Sequence, residues 1–249
     1  MVDWRVEPLS SGTFGVTVSG TLPRQLDGPS LRTLRELLDL YAVVVFRGQE
    51  LSRAEHLQLA LLLGTVQHHR YHSDAQDPDF LVMRSERALA DFWHTDETYE
   101  AEPPDLCLLR MVHAPEIGGD TVWTDARAAY DMLSGPLRQL LDGLSALHVT
   151  PDGDRSAVHK LVKVHPTSTR ASLYANRQFT KRIVGRSRAE SENLLPLLFE
   201  STEHPDIQCR HRWSRGDVAI WDNRCTLHRV LADYQTLRWT ERIAVRVRP

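Results

Sequence analysis

The sequence contains little cysteine and no long apolar run, and both absences narrow the class of protein. Its three cysteines, Cys107, Cys209 and Cys225, are far apart and odd in number, which argues against a disulfide framework and fits a reducing compartment. The longest apolar stretches, 41–46 and 57–63, are too short to span a bilayer. The first residues also lack the basic-then-apolar order of a signal peptide. We therefore expect a cytoplasmic protein.

Blocks of like charge are missing as well. The chain carries 30 basic and 33 acidic residues, a net charge of −3, and no lysine or arginine cluster typical of a nucleic-acid or membrane surface. Hydrophobic residues make up 41% and charged residues 25%, which is ordinary for a globular protein. Because nothing in the composition separates two halves, we predict that residues 1–249 form a single domain that binds neither nucleic acid nor membranes.

The hydrophobic pattern predicts strands with a few added helices. The apolar spacing over 31–41 predicts a helix with Ser30 as a candidate N-cap, and Ser52 and Glu55 have capping-box spacing before a second helix that ends at Leu63. Further helices are predicted over 126–133, 136–141 and 187–199, and strands over 42–46, 106–112, 121–124, 207–213, 217–221 and 239–247. This pattern indicates a β-sandwich or barrel with added helices.

A His and a carboxylate stand two positions apart in the segment 92–98. If that segment is extended, the side chains of His94 and Asp96 lie on one face and can reach a single ion. His228 follows the predicted strand 217–221 and the polar run 222–224, and it offers a second imidazole. Two histidines and one carboxylate are the facial arrangement that holds non-haem Fe(II) with open positions. Taken alone, however, a His-x-Asp triplet is more often a set of surface or core hydrogen-bonding residues.

Two arginines follow His228 with the spacing of a strand face. In a strand over 239–247, Arg238 and Arg242 fall on one side, whereas Ile243 and Val245 fall on the other. Two guanidinium groups near a metal are suited to bind carboxylates or another oxyanion. The alternative interpretation is a solvated sheet face.

Several motifs occur together in a fixed order along the chain. They are Trp-His-Thr-Asp at 93–96, Gly-Gly-Asp-Thr-Val-Trp at 118–123, Arg-Trp at 212–213 and Asp-Val-Ala-Ile-Trp-Asp-Asn-Arg at 217–224, followed by His228. This set resembles the Fe(II)/2-oxoglutarate-dependent taurine dioxygenase and 2,4-dichlorophenoxyacetate dioxygenase family, and residues 176, 179–180 and 182–184 resemble its taurine branch. The resemblance implies an α+β, mainly β fold with a double-stranded β-helix (jelly-roll) core and flanking and inserted helices.

The resemblance also assigns roles to individual residues. It implies that His94, Asp96 and His228 bind Fe(II), and that Arg238 and Thr121 bind the distal carboxylate of 2-oxoglutarate. Arg242 then matches the arginine that meets the acidic group of the primary substrate. One residue is missing between His228 and Arg238 relative to the taurine branch, which leaves the assignment of the two arginines open. Thr121 can also be read simply as the first residue of a strand.

The substrate-binding residues are less sharply defined. The resemblance places His69 and Tyr71 beside the substrate, although His68 is an alternative in the same register, and it places Phe179 in the pocket, where a plain core aromatic is the alternative. Ala90 replaces an amide side chain of the taurine branch.

Glu97 is a second departure from the taurine branch, where an apolar residue follows the iron motif. A carboxylate at this position repels a bare anion unless it pairs with an arginine. The segment 148–165 is also shorter than usual, which predicts a reduced lid. We therefore expect a substrate other than taurine, and we hypothesise that it carries both charges.

The implied reaction couples the oxidative decarboxylation of 2-oxoglutarate by O2 to C–H oxidation of a small polar or anionic molecule, with hydroxylation as the default. Desaturation, cyclisation or carbon–heteroatom cleavage, as for sulfonates or sulfate esters, are alternatives at the same iron site. A zinc hydrolase with the same ligands and a non-catalytic binding protein on the same scaffold are alternatives from other classes. The resemblance also implies association into homodimers or homotetramers.

Overall fold

The computed structural model describes residues 3–9, 14–22, 26–69, 73–74, 77–86 and 90–248. The helices are α1 (Gly28–Tyr41), α2 (Arg53–Leu63), α3 (Ala126–Asp131), α4 (Gly135–Leu141) and α5 (Arg188–Thr202). The strands are β1 (Arg5–Pro8), β2 (Val16–Ser19), β3 (Val43–Phe46), β4 (Thr65–Gln67), β5 (Ser73–Asp74), β6 (Asp77–Ser85), β7 (Leu106–His113), β8 (Thr121–Asp125), β9 (Ser145–Val149), β10 (Ser156–Lys160), β11 (Val162–Val164), β12 (Ala171–Leu173), β13 (Thr180–Ile183), β14 (Gln208–His211), β15 (Val218–Asp222), β16 (Thr226–Val230) and β17 (Arg238–Arg246). The predicted mixture of mostly strands with added helices is confirmed.

The first residues of helices α1 and α2 are determined by side chains that accept hydrogen bonds from free backbone N–H groups. Ser52 and Glu55 form the predicted capping box at the start of α2. The predicted N-cap of α1 is wrong: Asp27, not Ser30, is the cap, and its carboxylate accepts from the Ser30 N–H at 2.8 Å. Pro29 explains the earlier start, because proline fits the first turn of a helix, where its missing N–H has no partner to lose.

Two sheets carry the residues of interest. Among the described residues, the large sheet has the order β1-β2-β3-β15-β7-β17-β6-β5, with β4 also paired to β17, and it is antiparallel except for the parallel pair β2–β3. The small sheet has the order β14-β8-β16. The strand predicted over 207–213 is shorter than expected, because Pro205–Ile207 form a 3-10 turn just before β14.

The two sheets pack face to face around a buried aromatic cluster. Along β15, Ala219 and Trp221 point toward the small sheet, whereas Val218 and Ile220 pack on the opposite face with α1 and α2. Trp221 meets Trp123 of the small sheet edge to face, with ring centroids 5.9 Å apart. Replacing a buried tryptophan of this kind by alanine costs about 3–5 kcal/mol of stability.

The last strand, β17, has the predicted alternation. Arg238 and Arg242 line a cavity between the sheets, while Ile243 and Val245 belong to the core under the helices. The alternative of a solvated face is wrong, because Arg238 and Arg242 are only 5% and 4% exposed. Within the described ranges, no helix is long and apolar enough to cross a membrane.

Candidate active site

Direct backbone pairing brings the two histidines of the motif together. The His94 N–H donates to the His228 carbonyl at 3.0 Å, and the His228 N–H donates to the His94 carbonyl at 2.7 Å. The Thr95 hydroxyl adds a bond of 2.8 Å to the carbonyl of Thr226, so the segment lies alongside β16. The predicted extended conformation ends there, because residues 96–99 form a turn.

Asn223 fixes the backbone of Asp96 in that turn. Its Oδ1 accepts from the Asp96 N–H at 2.9 Å, and its Nδ2 donates to the carbonyls of Asp96 and Pro104 at 3.1 and 3.0 Å. Asn223 belongs to the motif at 217–224, but no role could be assigned to it from the sequence. Its position in the polar run directly after β15 was the sequence feature that could have indicated a role in the site.

His94, Asp96 and His228 form a buried cluster whose ligand atoms all lie within 4.8 Å of one another. His94 Nε2 lies 3.7 Å from Asp96 Oδ1, and His228 Nε2 lies 3.8 Å from Asp96 Oδ2. His94 Nδ1 is 2.8 Å from the carbonyl of Phe92, which can only accept, so Nδ1 carries the proton and Nε2 keeps its lone pair. Such an outer hydrogen bond is what orients a metal-binding histidine.

Asp96 Oδ2 supplies a test of whether a cation fits this cluster. The atom is buried and has no hydrogen-bond partner among the described residues. A buried carboxylate oxygen without a donor is costly, and a cation shared with His94 and His228 would satisfy it. The donor set of two imidazoles and one carboxylate therefore fits a divalent metal of the iron type.

The protonation states expected of these groups also suit a metal. Burial lowers the pKa of His94, and burial together with the nearby His94 lowers the pKa of His228 to about 3. Burial by itself would raise the pKa of Asp96, but Arg242 and the two histidines outweigh it and hold that pKa below its usual value. Neutral imidazoles and an ionised carboxylate are the forms that bind metals.

A second group with metal-ligand spacing, His165, Asp222 and Cys225, is already satisfied by protein contacts. Asp222 Oδ2 accepts from His165 Nε2 at 2.9 Å, and Arg224 contacts both carboxylate oxygens of Asp222. Because both oxygens of Asp222 already accept hydrogen bonds from the protein, this group stabilises the end of β15 and does not offer a free ligand to a metal.

Arg238 lines the cavity and is held by a glycine turn. Its Nε donates to the Gly119 carbonyl at 3.0 Å, and its Nη2 donates to Thr121 Oγ1 at 3.3 Å. Gly118 and Gly119 have φ angles of 76° and 71°, a left-handed conformation that glycine adopts without strain. Burial lowers the pKa of Arg238 to about 10, so the side chain remains a cation at neutral pH.

The Thr121 hydroxyl is set up to donate into the cavity. Its oxygen accepts from Arg238 and also from Trp213 Nε1 at 2.9 Å. With both lone pairs engaged, the hydroxyl hydrogen remains for an acceptor such as a carboxylate. Trp213 was part of a sequence motif, but its role in orienting Thr121 could be read only from the structure.

The cavity has a volume of about 510 Å³. It is lined by the cluster of His94, Asp96 and His228 and also by Arg238, Thr121 and Arg242. Of the two candidate histidines, His69 lines it, whereas His68 points away and meets Asp79 with its side chain 65% exposed. Phe179 also lines the cavity, with its ring edge-on to His94 at 6.3 Å between centroids. Tyr71 lies outside the described residues.

Glu97 and Arg242 form an ion pair inside the cavity. Arg242 Nη2 donates to Glu97 Oε1 at 2.9 Å, and Arg242 Nη1 contacts the carboxylate of Asp96. Glu97 thus has the arginine partner that the sequence analysis required of it. The same contact occupies the arginine that was expected to meet an acidic substrate.

The shortened segment after His148 forms a hairpin that borders the cavity. Strands β9 and β10 pair over Ser145–Val149 and Ser156–Lys160, and Thr150, Pro151 and Asp152 of the connecting turn line the cavity. The sequence predicted a reduced lid in this region, but it did not predict that the turn itself supplies lining residues.

Residues 5–246 match the family described as taurine catabolism dioxygenase TauD, TfdA family. The chain therefore belongs to the TauD/TfdA family, as the sequence motifs predicted. The chain is 34% identical to the alpha-ketoglutarate-dependent sulfate ester dioxygenase of Pseudomonas putida, over 93% of this chain and 85% of that protein. It is 30% identical to the (S)-phenoxypropionate/alpha-ketoglutarate-dioxygenase of Sphingobium herbicidovorans, over 96% and 94% of the two chains.

The fold is that of a taurine dioxygenase. The crystal structure of a taurine dioxygenase from Burkholderia xenovorans superposes with a TM-score of 0.89 at 34% identity, covering 98% of this chain and 91% of that chain. The predicted enzyme class, a dioxygenase that depends on alpha-ketoglutarate (2-oxoglutarate), is confirmed by these relatives. Because the three relatives are named for three different substrates, family membership leaves the substrate to be argued from the cavity.

Proposed function

We propose that this protein is a non-haem Fe(II)/2-oxoglutarate-dependent dioxygenase that oxidises a C–H bond of a small organic substrate other than taurine. His94, Asp96 and His228 would hold the iron, and Arg238 and Thr121 would hold the distal carboxylate of 2-oxoglutarate. The observation that carries the proposal is the opening of the buried His/Asp/His cluster onto the same cavity as Arg238 and Thr121.

The reaction balances with one molecule each of substrate, O2 and 2-oxoglutarate, giving hydroxylated substrate, succinate and CO2. When bound, iron supplies the oxygen and redox chemistry, and the protein supplies orientation and charge. The Arg238 guanidinium pairs with a carboxylate that would otherwise be an unpaired buried charge, and the Thr121 hydroxyl donates to it.

The primary substrate would lie between His69, Tyr71, Glu97, Phe179 and Arg242. His69, Glu97, Phe179 and Arg242 line the cavity, while Tyr71 is included on the resemblance alone. The position of the substrate carbon decides between hydroxylation and desaturation, cyclisation or carbon–heteroatom cleavage. Because one relative is named a sulfate ester dioxygenase, carbon–heteroatom cleavage is the principal alternative outcome that we consider for this site.

Anaerobic spectroscopy tests the proposed site directly. Adding Fe(II) and then 2-oxoglutarate to the protein should produce a visible charge-transfer band, and His94→Ala should abolish it while retaining the fold by circular dichroism. Absence of the band in intact wild-type protein would overturn the proposal. Turnover that requires zinc but neither O2 nor 2-oxoglutarate would favour a hydrolase, and failure to bind any metal would favour a non-catalytic protein.

We also propose the finer features implied by the resemblance. The large sheet and the β14-β8-β16 sheet would form a double-stranded β-helix, and residues 1–249 would form one domain. The protein would act in the cytoplasm on a small molecule, without nucleic acid or membrane, and would associate into a homodimer or homotetramer. Cell fractionation and light scattering on a size-exclusion column test the location and the oligomeric state.

A further inference from the structure

Glu97 adopts a backbone conformation that is unusual for its residue type. Its φ angle is 57°, in the left-handed region that long side chains rarely enter, and the turn is closed by the Glu100 N–H, which donates to the Glu97 carbonyl at 2.9 Å. Such outliers concentrate at functional sites, where the surrounding structure holds them in place. The conformation directs the carboxylate of Glu97 toward Arg242 and His69 inside the cavity.

The guanidinium group of Arg242 is buried against two carboxylates of the protein itself. Each terminal nitrogen already contacts a carboxylate, Nη1 that of Asp96 and Nη2 that of Glu97. Its Nε is shielded from solvent, and the side chain is only 4% exposed. A sulfate or carboxylate that took the place of Glu97 on Nη2 would leave the mostly buried carboxylate of Glu97 without its arginine partner.

The remaining charges in the cavity favour a cation. The fully charged side chains among its described lining residues are Asp96, Glu97, Asp152, Arg238 and Arg242. Asp96 belongs to the metal cluster, Arg238 is committed to the co-substrate end, and Arg242 is paired. Asp152 is then left for the substrate together with Oε2 of Glu97, because the pair with Arg242 uses Oε1, and both of these groups are acidic.

Glu97 keeps one oxygen for a ligand. Its contacts to Arg242 at 2.9 Å and to His69 at 3.6 Å both involve Oε1, so neither of them uses Oε2. The walls around it are largely apolar and include Leu81, Val82, Pro151 and Phe179. A ligand that satisfies both features has an apolar body and a positively charged nitrogen.

We propose that Glu97 determines specificity by receiving the ammonium group of the primary substrate on Oε2, so that the substrate class is amines or amino acids with an apolar side chain. This inference rests on the proposed function, since the ammonium compound is taken to be the molecule that is oxidised beside the iron. It also predicts poor binding of alkyl sulfates and other bare anions.

Four ligands with the same branched alkyl group test the proposal. Leucine, 3-methylbutylamine, 4-methylpentanoate and 3-methylbutyl sulfate are titrated by calorimetry into the anaerobic complex of the protein with Fe(II) and 2-oxoglutarate. At least one of the nitrogen-bearing ligands should bind 10-fold or more tightly than both bare anions. Tighter binding of leucine would identify amino acids as the source of the ammonium, and tighter binding of the amine would identify simple amines. Absence of binding by both nitrogen compounds, or preference for the sulfate, overturns the proposal.

Two substitutions connect the preference to Glu97. Glu97→Gln keeps the shape but removes the charge, and it should weaken binding of the preferred nitrogen ligand at least 10-fold. Glu97→Val frees Arg242 and should increase the affinity for 3-methylbutyl sulfate. Glu102→Gln removes the same charge from a side chain that is 78% exposed and outside the cavity, and it should change neither affinity. Unchanged selectivity in the two Glu97 variants would overturn the proposal.

The iron and 2-oxoglutarate spectrum separates failure of this inference from failure of the proposed function. A wild-type protein that gives the charge-transfer band but binds no ammonium ligand keeps the proposed function and loses the inference. A protein that gives no band loses both. If a Glu97 variant fails to fold by circular dichroism, the comparison of the four ligands with wild-type protein still decides the inference.

Discussion

His94 and His228 are joined by a reciprocal pair of backbone hydrogen bonds, 3.0 and 2.7 Å long. The ring centroids are 4.2 Å apart as a result. The backbone position of each of these two histidines is therefore fixed by the main chain of the other. A site built in this way is largely formed before a metal binds.

Removal of one ligand should abolish tight binding of iron. His94→Ala takes away one of the two imidazoles but leaves the backbone pair with His228 in place, so the fold should be retained. We expect the affinity for Fe(II), measured by anaerobic calorimetry, to fall by about 100-fold or more. His204→Ala, at a partly exposed histidine remote from the cavity, serves as the control and should bind iron as the wild type does. Equal affinities for the two variants would contradict the assigned site.

Asn223 should affect iron binding without contacting iron. Asn223→Ala removes the amide that accepts from the Asp96 N–H and donates to the Asp96 carbonyl. Because Asp96 then loses its fixed orientation, we expect the affinity for Fe(II) to fall by roughly 10- to 100-fold. Asn193→Ala changes the same residue type on the exposed face of α5 and should have no effect. A loss of thermal stability with unchanged iron affinity would assign Asn223 a purely structural role.

Substitution of Arg238 or Thr121 should weaken the binding of 2-oxoglutarate but not the binding of iron. Arg238→Gln removes the paired cation, and we expect the KM for 2-oxoglutarate to rise about 100-fold or more. Thr121→Val removes one hydroxyl donor and should raise it roughly 10-fold.

Iron affinity should remain within about 3-fold of wild type in both variants, because neither residue belongs to the metal cluster. Steady-state kinetics by succinate formation give the KM values. Arg212→Gln, at an exposed arginine beside Trp213, is the matched control. A higher KM in the control than in Arg238→Gln would contradict the assignment.

His56 should make the protein less stable in acid. Burial in α2, together with the nearby Arg110, lowers its pKa from 6.5 to about 3, so between these pH values the unfolded chain binds a proton that the folded chain does not. The free energy of unfolding is therefore unaffected by His56 above pH 6.5 and decreases as the pH falls from 6.5 toward 3.

His56→Leu removes this proton linkage. Between pH 7 and 5, its free energy of unfolding should therefore decrease by about 2 kcal/mol less than that of wild type. Urea unfolding at several pH values measures the difference. His204→Leu alters a partly exposed histidine and should follow wild type. The same pH slope in His56→Leu and wild type would show that His56 is not held neutral by the fold.

Local sequence signals predicted much of the secondary structure. The capping box of Ser52 and Glu55 is a contact between residues three positions apart, and it was read correctly for that reason. The alternation along β17 also depends only on the geometry of a strand, so the shared face of Arg238 and Arg242 was predicted, whereas the sequence left open whether that face is buried or solvated. Ser30 was misassigned as a cap because Asp27 and Ser30 both have suitable side chains, and the chain's path into the helix decided between them.

Contacts between segments that are distant in the chain could not be predicted from local sequence patterns. Asn223 contacts the backbone of Asp96, and Trp213 orients the hydroxyl of Thr121, across separations that only the packed sheets close. The choice between His68 and His69 was likewise open in the sequence, since neighbouring residues of an extended segment face opposite sides. It was settled by which face meets the cavity.

The sequence by itself determined the family and the chemistry that the family shares, because the order of the motifs around His94, Asp96, Gly118–Gly119 and His228 is a property of the chain alone. Only the tertiary structure decided what the charged residues do to one another. Glu97 and Arg242 are far apart in sequence, and whether the arginine faces the substrate or is neutralised depends on a 2.9 Å contact made by the turn after Asp96 and strand β17. The strength of an ion pair falls steeply with distance and solvent exposure, and neither can be read from residue order.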